Sequence, residues 1–392
     1  MTAPAAITLN EGRFARFEAI EWWNQSLLRD ARLLVVGAGA LGNEVIKNLA
    51  LLGIGHVVVI DMDRVELSNL SRSVLFRESD EGQPKTEAAA RAARSIYPGI
   101  QIHPVTGNLL ADVGLGYFRW AQIVIGALDN REARVFVNSA CARTGRPWID
   151  GGIEVLNGIV RGFQPPATAC YECTMSDVDW QILNKRRSCS MLARRALEQR
   201  GTPTTPTTAS IIGAIQTQEA VKFLHGIEGL LGRGFVFEGR HHQSYSTTYP
   251  LNPDCPWHET PAEIVALPEA GSGTPLRALA EIAAAKLGGF DALDLAREIV
   301  EHLECPNCRR IEVVFKAAEN VSETQAVCTV CGAETAPKFL NSIPAGSPLL
   351  DKTVRELGLP AWEILWARHG GRSIGLELAG DNPLAAPPIH HA

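Results

Sequence analysis

The sequence predicts a doubly wound, Rossmann-like α/β fold with a small zinc-containing C-terminal domain, and three observations lead there. An apolar run, RLLVV, passes directly into GAGALG, with Gly37, Gly39 and Gly42 in G-x-G-x-x-G spacing. A second apolar run, HVVVI, ends on Asp61, about 20 positions after the glycines, as in a βαβ unit. Two C-x-x-C pairs, Cys305–Cys308 and Cys328–Cys331, stand toward the other end of the chain.

Each element follows from its residues. RLLVV is apolar throughout, which suits a parallel strand buried on both faces. The glycines let the backbone approach a phosphate at a helix N-terminus, where N–H groups and the helix dipole favour an anion. Leu41, Val45, Ile46, Leu49 and Leu52 then recur at helical spacing. Asp61, closing the second strand, is placed to accept hydrogen bonds from ribose hydroxyls. This fingerprint alone indicates an adenine nucleotide and most often means NAD or FAD. The segments that follow depart from a dehydrogenase. DMDRVELSNLSR (61–72), GQPKTE (82–87) and ALDNREAR (127–134), the last closing the apolar run QIVIG, bring Asp63, Asn69, Arg72, Lys85, Asp129 and Asn130 to strand ends or helix starts on the nucleotide side. Two cations with several carboxylates suit a triphosphate and magnesium: Arg72 and Lys85 neutralise phosphate charge and Asp129 holds the metal.

GAGALG, the D-x-D at 61–63, LSNLSR, QPK and LDN, in this order, resemble the ThiF/MoeB and ubiquitin-activating enzyme superfamily. WIDGGIEVLNG (148–158) and ATACYECT (167–174) resemble its branch that activates ubiquitin-like proteins. The resemblance implies that ATP and a C-terminal glycine carboxylate form an acyl-adenylate and pyrophosphate. It implies that Asp61 binds ribose, that Asn69 lies near the phosphates, that Arg72 and Lys85 contact the triphosphate, and that Asp129 coordinates Mg2+. RFAR at 13–16 resembles the family's N-terminal arm, whose arginine enters the neighbouring subunit's site. Arg16 matches best, with Arg13 as the alternative, and a homodimer is implied.

The nine cysteines sort by spacing. Cys170 and Cys173, with Cys255 and His258, give a Cys3His zinc set; the family usually has a C-x-x-C at the second half, and His241 or His242 is an alternative to His258. Cys305, Cys308, Cys328 and Cys331 form a four-cysteine zinc ribbon, so two structural Zn2+ ions per chain are expected. Cys141, on an amphipathic helix, reads as a small buried hydrophobe. Cys189 stands alone behind Lys185, Arg186 and Arg187. By the resemblance it aligns with the cysteine that forms a thioester with the modifier, and the three cations lower its pKa.

Composition sets outer bounds. At 392 residues, two or three domains are expected. A net charge of −6 gives no general attraction to nucleic acid or anionic membrane. The N-terminus lacks the apolar core of a signal peptide and no run of about 18 apolar residues occurs, so a cytoplasmic protein is expected. The expected division is an adenylation domain over 1–261 with a cysteine loop at about 174–208, a linker and helical segment over 262–304, and a ribbon-and-hairpin domain over 305–392. PEAGSGTP reads as linker, LRALAEIAAAKLGGFDALDLAREIVEHL as helix with a Gly-Gly break, and the hairpin centres on Gly370-Gly371. No catalytic set stands out beyond residue 262, so this part is expected to dock a partner such as a conjugating enzyme, with a purely stabilising appendage as the alternative. The function expected is activation of a ubiquitin-like protein through adenylation and a Cys189 thioester. The alternative is a MoeB- or ThiF-like enzyme that activates a sulfur carrier without an enzyme thioester.

Overall fold

The computed structural model describes residues 12–188 and 203–385. Its larger sheet has eight strands in the order β3-β2-β1-β4-β5-β6-β7-β8. These are β1 (Arg32–Val36), β2 (His56–Asp61), β3 (Gln101–Thr106), β4 (Ile123–Gly126), β5 (Trp148–Glu154), β6 (Asn157–Phe163), β7 (Arg233–Glu238) and β8 (Gln243–Thr248). The first five run parallel, and β6, β7 and β8 continue the sheet antiparallel.

Continuous apolar strands have a direct cause here. Leu33 and Val35 of β1 face one core with α2 (Ala40–Leu52), α3 (Lys85–Ile96) and α7 (Pro206–Leu224). Leu34 and Val36 face a second core with α4 (Gly116–Trp120) and α5 (Arg131–Thr144). Successive side chains alternate between faces, so a strand covered on both sides must be apolar at every position. Two further helices precede α2 and α7: α1 (Gln25–Arg29) and α6 (Asp177–Ser188). Thr205 caps α7 and Thr204 bridges to Val155, so Thr204 and Thr205 are held in place where the helix begins at Pro206.

The C-terminal part is a second sheet. Its strands are β9 (Glu263–Ala266), β10 (Ala292–Glu304), β11 (Ile311–Ala317), β12 (Ala336–Pro344), β13 (Ile364–His369) and β14 (Arg372–Glu377). The order is β11-β10-β13-β14-β9, with β12 also paired to β10. The hairpin expected at Gly370-Gly371 is β13–β14, with both glycines at positive φ.

The helix expected over 276–303 is realised only in its first half. Helix α8 (Leu276–Leu287) ends at Gly288 in the left-handed conformation, and the remainder is the 13-residue strand β10. The 262–304 segment is therefore more than linker and helix: it also supplies β9 and β10 to the sheet. Leu293, Ala296, Val300 and Leu303 fit helical spacing, while Leu293, Leu295, Arg297 and Ile299 alternate inward as in a strand. A register break between Asp294 and Ile299 blurs the strand period, and pairing with three strands decides the outcome.

The two sheets share a core. Trp362, Ile364 and Trp366 pack with Phe118, Phe136 and Trp148 of the larger unit. Gly114 and Gly116 make this possible: a Cβ on Gly114 would lie 2.2 Å from the Ala361 carbonyl oxygen, and one on Gly116 would lie 2.4 Å from the Trp362 ring. Trp362 holds a positive φ of 53°, a conformation that persists only where surrounding contacts impose it. Among the described residues no helix is long and apolar enough to cross a membrane.

Candidate nucleotide site and zinc centres

A cavity of about 1880 Å³ opens at the carboxyl ends of β1, β2, β3 and β4, where ligands bind in open α/β sheets. Gly37, Gly39, Asp61, Asp63, Asn69, Arg72, Lys85, Asp129 and Asn130 all line it. The three glycines serve different ends. Gly37 sits at φ 99°, and a Cβ there would lie 2.3 Å from the Ala127 carbonyl oxygen. A Cβ on Gly42 would lie 2.0 Å from the Gly37 carbonyl oxygen, so Gly42 lets α2 close on the turn. A Cβ on Gly39 would meet no protein atom within 4 Å, which leaves its backbone open to the cavity.

Asp61 is anchored by its surroundings. Its Oδ2 accepts from the Ala38 N–H at 2.6 Å and its Oδ1 from the Asp63 N–H at 2.8 Å. Burial raises its pKa, opposed by Lys85 and by these N–H donors. Lys85 begins α3, and its Nζ lies 2.7 Å from Asp63 Oδ2. Asn69 is buried and accepts from the Glu66 N–H at 3.1 Å, while Arg72 donates to the Ser68 carbonyl at 2.7 Å. Asp129 is exposed, and Asn130 caps α5 by accepting from the Ala133 N–H at 2.8 Å. An exposed carboxylate is a hard oxygen donor of the kind Mg2+ takes.

Sequence reasoning missed a charged cluster in the same cavity. Asp150, fully buried within β5, lies 2.8 Å from Arg134 Nε and 2.5 Å from Arg161 Nη2. Both arginines line the cavity. IDGG and NREAR were visible as motifs, but their pairing needs three separate elements to meet.

Arg16 does not line the cavity. It is exposed, beside Phe14, which packs near Gly53 after α2 and against Tyr97 after α3, at the opposite ends of those helices. Arg13 donates to the Ile96 carbonyl there. Cys189 and the side chains of Lys185, Arg186 and Arg187 lie outside the described residues. Cys141 is fully buried in α5, and burial pushes its thiol well above the ordinary range.

Both metal sets come together. The ligand atoms of Cys170, Cys173, Cys255 and His258 lie within 4.8 Å of one another, as do those of Cys305, Cys308, Cys328 and Cys331. Neighbouring sulfurs are 3.5 and 3.7 Å apart in the first set and 3.4, 3.6 and 3.8 Å apart in the second. A disulfide needs about 2.05 Å, whereas four thiolates around zinc at about 2.3 Å stand roughly 3.7 Å apart. His258, rather than His241 or His242, completes the first set, with Nε2 3.0 Å from Cys173 Sγ. Backbone N–H groups of Cys308 and Asn307, opposed by burial, bring the Cys305 thiol down to about 6, which favours the thiolate a metal requires. Both sets can hold zinc.

The doubly wound sheet, its glycine turn and its acidic strand end define a nucleotide-binding α/β protein. The ThiF family model matches residues 12–257, and the chain belongs to the ThiF family. It is 39% identical over 162 residues to the NEDD8-activating enzyme E1 catalytic subunit of Arabidopsis thaliana, covering 38% of this chain and 36% of that one. It is 32% identical over 240 residues to the SAMP-activating enzyme E1 of Haloferax volcanii, covering 59% of this chain and 82% of the relative. The chain thus spans only about a third of the NEDD8-activating relative's length. Among solved structures, E. coli MccB with ATP shares the fold, with a TM-score of 0.53 and 23% identity over 64% of this chain and 75% of that one.

Proposed function

We propose that this protein uses ATP to adenylate the C-terminal glycine of a ubiquitin-like protein, then takes the acyl group onto Cys189 and passes it to a conjugating enzyme. The observation that carries the reading is that one cavity gathers the glycine turn, Asp61, Arg72, Lys85 and Asp129, a set that suits a magnesium-bound triphosphate and a ribose. Kinship with enzymes named as activators of NEDD8 and SAMP supports a protein tail as the acyl donor.

The chemistry follows from these groups. The glycine carboxylate attacks the α-phosphorus, the bond to the bridging oxygen breaks, and pyrophosphate leaves with its electron pair. Arg72 and Lys85 screen the approaching charges, and Gly37–Gly42 hold the phosphates in line. Mg2+, held by Asp129, supplies further charge neutralisation when bound. The Cys189 thiolate then attacks the acyl carbon and AMP departs, leaving a thioester. Lys185, Arg186 and Arg187 favour that thiolate. Arg16 acts in the partner's site of a homodimer, which agrees with its distance from the cavity of its own chain.

Cys189→Ala separates the two steps. This variant should retain ATP–pyrophosphate exchange driven by the modifier and lose the adduct that reducing agents cleave, whereas Lys85→Ala should lose both. A normal thioester on Cys189→Ala would remove the nucleophile assignment. Exchange without any adduct on the wild type would instead favour the sulfur-carrier reading.

A further inference from the structure

The segment beyond the family match reaches into the nucleotide cavity. Ala296, Arg297, Glu298, Ala318 and Glu319 line it beside Gly107, Asn108, Leu109 and Leu110 of the loop after β3. That loop has a definite place along the sheet. Phosphates belong on the glycine turn after β1, and ribose belongs on Asp61 at the end of β2. The base then falls next in order, at the end of β3.

Three groups of the C-terminal part hold this loop from outside. The irregular stretch of β10 between Asp294 and Ile299 carries Arg297, which donates to the Leu110 carbonyl and to the Val113 carbonyl, each at 2.9 Å. Arg297 also pairs with Glu363 at 2.5 Å, and both side chains are almost wholly buried, at 2% and 1% exposure. Glu363 accepts in turn from the Leu115 N–H at 3.2 Å. Asn320, in the turn after β11, donates to Asp112 Oδ1 at 2.9 Å, and Asp112 Oδ2 accepts from the Asn108 N–H at 2.8 Å. A continuous path of hydrogen bonds therefore runs from the turn after β11 to the cavity-lining backbone of Asn108.

We infer that the C-terminal part sets the base-side wall of the nucleotide pocket, with Arg297 and Asn320 as positioning residues for ATP. The inference rests on the adenylation reading and assigns to this part a role in that site in addition to any docking role. Arg297 bonds to the loop only through the carbonyls of Leu110 and Val113, with Glu363 holding its guanidinium, so it acts by fixing the loop's course. Asn320 and Asp112 are both exposed, so their contact contributes little to folding and its loss is read chiefly at the loop.

The test uses the full chain and two probes: ATP with Mg2+, which carries the base, and inorganic tripolyphosphate with Mg2+, which does not. Calorimetry should show ATP affinity falling about two- to tenfold in Asn320→Ala, the worth of one hydrogen bond, and tripolyphosphate affinity unchanged. Asp112→Ala should show the same selective loss, and Asn320→Ala should add little to it because the two act in series. Arg297→Lys, which keeps the charge but not the fork of donors, should lose more ATP affinity than Asn320→Ala. ATP binding like wild type in both Asn320→Ala and Asp112→Ala would overturn the inference even if Arg297→Lys fails to fold. Equal weakening of both probes would overturn it too, since that marks a general distortion. Wild type that binds tripolyphosphate but gains nothing from the base would likewise overturn it. Wild type that binds neither probe would reject the adenylation reading itself and this inference with it.

Discussion

Gly39→Ala separates the use of the glycine turn from its folding. Gly39 has φ −72° and ψ −160°, which alanine adopts without strain, and its Cβ would meet no protein atom within 4 Å. Replacing glycine at such a position stabilises by about 0.4–1 kcal/mol, chiefly by restricting the unfolded chain. In a protein of this size the gain raises Tm by roughly 1–3 °C. The new methyl projects into the space a phosphate must enter to meet the backbone N–H groups. Losing one charge-assisted hydrogen bond costs about 1.5–3 kcal/mol, so ATP affinity should fall roughly ten- to more than a hundredfold. Gly42→Ala is the contrast: its Cβ would lie 2.0 Å from the Gly37 carbonyl oxygen, so it should lose stability outright. Thermal melting and calorimetry with ATP and Mg2+ read both quantities. A Gly39→Ala protein that binds ATP normally, or one that melts as early as Gly42→Ala, would show that the turn is a packing device and not a phosphate cradle.

Elemental analysis should find two zinc ions per chain, and Cys305→Ser should lose only the C-terminal one; one ion or none in the wild type would mean that a set is misassigned. Arg16→Ala and Asp129→Ala should each lack adenylation and recover part of it when mixed under subunit exchange. No recovery despite proven exchange would reject the arm in trans. Deleting residues 270–392 removes Trp362, Ile364 and Trp366 from the shared core, so the remainder should expose apolar surface and bind a hydrophobic dye. A deletion that melts cooperatively and still adenylates would show the core to be dispensable.

What was legible in the sequence was local. The glycine turn, Asp61 and the C-x-x-C pairs each show their chemistry within a few residues, and the fold keeps those neighbours together. Asp150 with Arg134 and Arg161 was illegible because three elements meet to form it. Arg297 was concealed differently. In LDLAREIVEHL a charged residue reads as the solvent face of a helix, yet in β10 it takes an inward strand position and meets Glu363 from a segment 66 residues on. Nothing local to Gly114 and Gly116 marks them in the sequence, and only the approach of Ala361 and Trp362 shows why a side chain would not fit.

The cavity holds more cations than the proposed reaction needs, and their partners decide which ones meet the triphosphate. Lys85 is paired with Asp63, which is 57% exposed. The Lys85 side chain is 11% exposed, but the carboxylate that a phosphate oxygen would replace returns to water, so the exchange strands no buried charge. Arg72 donates to a single backbone carbonyl, which is readily replaced by a charged acceptor. Arg134 and Arg161 are held by Asp150, whose side chain has no exposure at all. Taking a partner from a buried carboxylate costs about 3–5 kcal/mol, because it leaves an uncompensated charge in the interior. Under the proposed function, the triphosphate would therefore draw on Lys85 and Arg72, while Arg134 and Arg161 would remain with Asp150. The latter fix the floor of the cavity: Arg134 also donates to the carbonyls of Leu128 and Gly151, which joins the loop before Asp129 to β5. In that reaction Lys85 and Arg72 would change partners while Asp150 and its arginines stay in place.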